Sequence, residues 1–84
     1  MGRIRRTWER VLSGEADANI DFDDMVSLLR ALGFRQRLRR SHHVFVRAKL
    51  HRPLTLQRGG SKAKPYQVRQ VRAVILAYNL DLEV

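Results

Sequence analysis

Three histidines, His42, His43 and His51, are the side chains here whose ordinary pKa, about 6.5, lies close to neutral pH. They stand in a stretch without acid: from Met25 to Leu80 there is no Asp or Glu. Those 56 residues hold 13 of the 17 Lys and Arg and all three His. The eight carboxylates lie outside it, at Glu9, Glu15, Asp17, Asp21, Asp23, Asp24, Asp81 and Glu83. A serine nucleophile needs a histidine held by a carboxylate, which this distribution disfavours. With no cysteine, a thiol nucleophile, a disulfide and a Cys-based zinc site are excluded. Asp21, Asp23 and Asp24 fall within one helical turn and read as helix capping; a Mg²⁺ site would want carboxylates converging from separate elements.

What remains is a neutral histidine beside many cations, and that set suits one reaction. RNA carries its own nucleophile, the 2′-OH. A histidine can take its proton, and Arg or Lys can stabilise the charge that builds on the phosphorane. Nearby cations favour the neutral, proton-accepting form of the base. No metal or other cofactor is required. DNA lacks the 2′-OH and would resist the same chemistry.

The elements around the histidines are legible. Ser41 to Ala48 is rich in β-branched and aromatic residues and is predicted as a strand. Parity puts His42, Val44 and Val46 on one face of it and His43, Phe45 and Arg47 on the other, without saying which face meets the core. Phe34 to Leu38 alternates apolar and polar and forms the preceding strand, with Arg39-Arg40 as the turn between them. Pro53 to Gln57 is the third strand, with proline tolerated at its first position. The short connections predict an antiparallel meander.

A helix precedes the sheet. Asp21 is its expected N-cap, Phe22, Met25, Val26, Leu28, Leu29 and Leu32 its apolar stripe, and Gly33 its left-handed stop. A second helix follows, with Pro65 at its first position and Val68, Val71, Ile75 and Tyr78 as its buried stripe. Asn79 is the expected C-cap. Between strand and helix, Arg58-Gly59-Gly60-Ser61-Lys62-Ala63-Lys64 reads as a mobile basic loop. At the start, residues 3–6 read as a basic arm, and Thr7 can cap a short helix from Trp8 to about Ser13 that stops at Gly14.

The 84 residues make one domain, with 1–20 an N-terminal arm and short helix and 21–80 the core. The hydrophobic fraction of 44% argues for a folded chain rather than a disordered basic tail. The net charge of +9 points to an anionic partner, either nucleic acid or an acidic protein. No secretion signal or apolar span is evident, so the expected compartment is the cytoplasm, with no membrane partner.

Ser41-His42-His43-Val44-Phe45 resembles the Gly-Ser-His-x-[Ile/Val]-[Phe/Tyr] motif of the HicA family, the toxins of bacterial HicA/HicB toxin–antitoxin pairs. Leu28-Leu29-Arg30-Ala31-Leu32-Gly33-Phe34 before it, and Lys64-Pro65 with Val68-Arg69-Gln70-Val71 after it, fit the same pattern over roughly residues 21–80. The resemblance implies an α+β fold like that of double-stranded-RNA-binding domains, α-β-β-β-α with a three-stranded antiparallel sheet, here with a short extra N-terminal helix. It implies a ribosome-independent mRNA endonuclease, a type II toxin neutralised by an acidic HicB-like antitoxin, and by position it makes His42 the catalytic residue. Three positions depart from the pattern. Arg40 stands where the family has Gly, at a cost of about 1 kcal/mol if the turn demands positive φ. Gln67 replaces a first-turn Thr. The Pro-x-His that often follows the third strand is absent, so His51 takes no such role. Arg39, Arg40 and Arg47, with Lys62 and Lys64 in the basic loop, are the expected phosphate contacts. Ser41 is expected to order the turn. The rival expectation is a non-catalytic double-stranded-RNA-binding module, which the charge and the element order serve equally well.

Overall fold

The computed structural model describes residues 2–82; Met1, Glu83 and Val84 lie outside the described residues. It is a small α+β domain of three helices and one open, three-stranded antiparallel sheet. The order is α1 (Arg3–Ser13), α2 (Phe22–Ala31), β1 (Arg35–Arg39), β2 (His42–Val46), β3 (Leu54–Gln57) and α3 (Pro65–Ala77). The strands follow one another in space as β1-β2-β3, the expected meander.

The first helix starts five residues before the expected Trp8, so the basic arm is its first turn. Cations at a helix N-terminus oppose its dipole. Here the opposition is offset, because Arg3 Nε lies 2.8 Å from Asp24 Oδ1 at the start of α2. Thr7 is therefore inside the helix. Its hydroxyl donates to the Arg3 carbonyl at 3.0 Å rather than capping. Gly14, at φ 74°, ends the helix in the left-handed conformation as its position predicts.

Asp21 occupies the N-cap position of α2, but its carboxylate makes no cap hydrogen bond. It accepts instead from Lys62 Nζ at 2.9 Å. Residues 20–22 and 61–63 run antiparallel at this point: Phe22 N–H donates to the Ser61 carbonyl at 2.9 Å, and Ala63 N–H to the Ile20 carbonyl at 2.7 Å. The second half of the expected mobile loop is thus tied to the entrance of α2. Pro65 opens α3 as expected, and Val68, Val71 and Ile75 are buried. Tyr78 is not part of that stripe: at 42% exposure it lies past the last helical turn, outside the core. Asn79 takes φ 52°, in the left-handed position just beyond the helix.

The helices cover one face of the sheet. Phe45, Leu54 and Leu56 point into them and meet Phe22, Met25, Leu28, Leu29, Val68 and Val71, all buried. From α1, Val11 joins the same core. None of the described residues covers the other sheet face.

Candidate nucleic-acid interface

Strand register decides which side chains share the open face. Directly paired residues are Arg39 with His42 with Gln57, Leu38 with His43 with Leu56, Arg37 with Val44 with Thr55, and Arg35 with Val46. Because Phe45 and Leu56 face the helices, alternation puts Arg35, Arg37, Arg39, His42, Val44, Val46, Thr55 and Gln57 on the uncovered side. His42 is exposed there. Its directly paired neighbours are Arg39 on one side and Gln57 on the other, with Cβ atoms about 5 Å away.

His43 faces the opposite way and is half-buried. Gln36 Nε2 donates to its Nδ1 at 2.8 Å, and its ring meets Phe22 edge-on, centroids 5.1 Å apart at 65°. The Arg58 guanidinium lies over the Phe22 ring, 4.6 Å from its centre, and pairs with Asp23. The two adjacent histidines therefore have separate tasks: His43 is a packed, hydrogen-bonded group beneath the sheet, and His42 is open to solvent.

The turn that presents His42 has two residues, Arg40 and Ser41. Arg40 adopts φ 55°, the positive value that two-residue hairpin turns require at their first position. The strain expected for Arg in place of Gly is thus present. Ser41 Oγ accepts a long hydrogen bond from Gln57 Nε2 at 3.5 Å, across from the turn. Gln57 is held in addition from behind: Gln67, buried in the first turn of α3, donates through Nε2 to the Gln57 carbonyl at 2.9 Å. Gln67 Oε1 is buried without a hydrogen-bond partner among the described residues. The residue that departs from the expected Thr therefore ties α3 to the strand position beside His42.

The expected phosphate contacts divide. Arg39 is on the His42 face and Arg40 at its edge. Arg47 is not: its Nε donates to the Leu32 carbonyl at 2.8 Å, closing the C-terminus of α2 on the helix side. Lys62 is held by Asp21. Lys64 is exposed at the N-terminus of α3, its stem against Gly59. Arg35 and Arg37, which are not among the expected contacts, share the open face with Arg39. The signal was available in the parity of Arg35-Gln36-Arg37-Leu38-Arg39, once the register with His42 is known. His51 lies in the turn between β2 and β3, beyond the far end of the sheet from His42. It lines a separate cavity of about 380 Å³ with Arg52, Leu54 and Tyr78.

The paired aspartates lie on the helix side. Asp17, on the loop after α1, accepts from both Arg72 terminal nitrogens at 3.0 and 3.2 Å, and both side chains are less than one-fifth exposed. These hydrogen bonds hold the Asp17 carboxyl below the ordinary carboxylate range, and raise the Arg72 pKa in turn. Hydrogen bonding from Lys62 likewise lowers Asp21. Among the described residues no group of His, Asp and Glu is placed to hold a metal ion, and no helix is long and apolar enough to cross a membrane.

Compared with family models, with curated proteins and with solved structures, the chain matches none.

Proposed function

We propose that this chain is a HicA-like toxin, an endonuclease that cuts single-stranded RNA without a metal, using His42 as general base. The observation that carries the reading is the exposed His42 beside Arg39 on a sheet face without a carboxylate among the described residues. The helix–sheet order from α2 to α3, with both helices on one face, is similar to that of double-stranded-RNA-binding domains.

In this mechanism the neutral imidazole takes the 2′-OH proton, and the 2′-oxygen attacks the adjacent phosphorus. The bond to the 5′-oxygen breaks, leaving a 2′,3′-cyclic phosphate on one fragment and a 5′-OH on the other. Arg39 stands where it stabilises the added negative charge on the phosphorane. Since His43 faces the helices, no second imidazole stands beside the leaving oxygen, and that oxygen draws its proton from water. One histidine instead of two makes for slow turnover. An acidic HicB-like antitoxin would silence the activity by covering the same cationic face.

The second reading, a binding module without catalysis, is favoured by one observation: among the described residues nothing hydrogen-bonds to the His42 ring to orient it. Substrate chemistry separates the two. On the endonuclease reading, unmodified RNA in EDTA is cut to fragments ending in 2′,3′-cyclic phosphate, while a 2′-O-methylated strand is bound and left whole. Cleavage of the methylated strand, or binding of both strands with neither cut, overturns the endonuclease.

A further inference from the structure

All the cationic side chains that the three strands place on the open face belong to one strand. β1 contributes Arg35, Arg37 and Arg39; β2 contributes His42, Val44 and Val46, and β3 Thr55 and Gln57. Among the described residues the three arginines enter no ion pair and no side-chain hydrogen bond, whereas Arg3, Arg58, Lys62 and Arg72 are each taken up by an aspartate. Every second residue of an antiparallel strand repeats at about 6.8 Å. That step is comparable to one nucleotide of an extended single strand. A strand crossing the sheet along the Arg39–His42–Gln57 row would meet one cation; a strand following β1 meets three.

We infer that β1 is a phosphate track, with Arg39, Arg37 and Arg35 holding successive phosphates of a single strand whose bases lie over the apolar shelf of Val44 and Val46. The inference rests on the endonuclease reading only for the position of the scissile phosphate, between Arg39 and His42. The track runs away from that point in one direction. In the other direction the sheet ends after the two-residue turn. The footprint on the substrate is therefore one-sided: at least two nucleotides are gripped on one side of the cut and few on the other. The shelf itself carries no aromatic ring and no hydrogen-bonding side chain, and the polar groups of this face, Thr55 and Gln57, lie one strand further on, so the grip is nearly indifferent to base identity.

The test uses short deoxyoligonucleotides that carry one ribonucleotide, so that each can be cut at one place. The ribonucleotide is moved stepwise toward either end, and cleavage is followed in EDTA. On one side, removing the last two nucleotides slows cleavage about tenfold or more; on the other, less than about twofold. In the Arg35→Gln/Arg37→Gln variant this length dependence disappears. Equal dependence on both sides, or a dependence unchanged in that variant, overturns the track. Binding provides a readout that survives failure of the catalytic reading. For His42→Ala on an all-deoxy single strand, the log–log salt slope of the affinity becomes shallower by about 1.4 when Arg35 and Arg37 are both replaced. An unchanged slope overturns the track whether or not RNA is cut, and a shallower slope without any cleavage leaves the track standing and removes the endonuclease.

Discussion

The two sides of this small domain treat charge in opposite ways. On the helix side, Asp17, Asp21, Asp23 and Asp24 each hold a cation, and among these the Asp17–Arg72 pair is largely enclosed. On the sheet side, three arginines and a histidine stand with no acid near them in the register. Both sides are rich in Arg and Lys, so composition does not distinguish them. What distinguishes them is where the acids fall in the chain: the residues before Met25 build α1 and the start of α2, and the strands come wholly from the acid-free stretch. A cation with an intramolecular partner serves the fold. A cation without one is available to an external anion.

The largest consequence concerns binding. Replacing Arg35, Arg37 and Arg39 together with Gln should weaken RNA affinity about 100-fold or more at moderate salt, while each single change alters stability by less than about 0.5 kcal/mol. Fluorescence anisotropy and thermal melting check the two halves. Removing Arg3, Arg58 and Arg72 should invert the pattern. If both triple variants weakened RNA equally, the contrast between the two faces would be lost.

Next in size is Arg72→Met. It leaves Asp17 and the Val11 carbonyl, which Arg72 also reaches at 2.9 Å, without their donor. The expected loss is roughly 1–3 kcal/mol in urea unfolding, with RNA binding little changed. The pH dependence has a definite sign. Because the folded Asp17 pKa is lowered, its contribution is full above the ordinary carboxylate pKa and is lost as pH falls through the folded value. The gap between the native chain and Asp17→Asn should therefore close on acidification below about pH 4. A gap that widened in acid would contradict the lowered pKa.

Arg40→Gly comes third. Relief of positive φ at a non-glycine residue should stabilise the chain by about 1 kcal/mol. If the gain came with a clear loss of RNA affinity, Arg40 would be a phosphate contact as well as a strained turn residue. The smallest effect is that of replacing Lys62 and Lys64 by Gln. Both are cations of the loop after β3, but Lys62 is engaged by Asp21. The pair should shallow the salt slope by about 0.7, the share of one phosphate contact rather than two. A change of about 1.4 would mean that RNA displaces the Asp21 partner.

The sequence made some of this legible and not the rest. Gly14, Gly33 and Pro65 mark helix ends through backbone preferences that hold whatever the tertiary context, and the structure agrees at each. Strand parity separated His42 from His43 correctly, and it also grouped Arg47 with Phe45, on the side that the helices cover. The role expected for Arg47 conflicted with that parity, and the structure resolved the conflict by giving its guanidinium to the Leu32 carbonyl. Arg35 and Arg37 were missed because their importance depends on register: only the pairing of Arg39 with His42 aligns their row with the histidine. The early start of α1 depends on Asp24, 21 residues away, and the restraint of Lys62 on Asp21, 41 residues away. Propensity and periodicity are local quantities and do not carry such contacts.

The central claim is that the uncovered face cuts RNA through His42. It is tested most directly by incubating single-stranded RNA in EDTA with the native chain and with His42→Ala at equal RNA occupancy. The account predicts cleavage by the native chain and a loss of at least about 100-fold in the variant, with affinity and melting temperature close to native because His42 is exposed and its face is otherwise intact. Cleavage that persists in His42→Ala, or binding by the native chain with no cleavage at all, would contradict it.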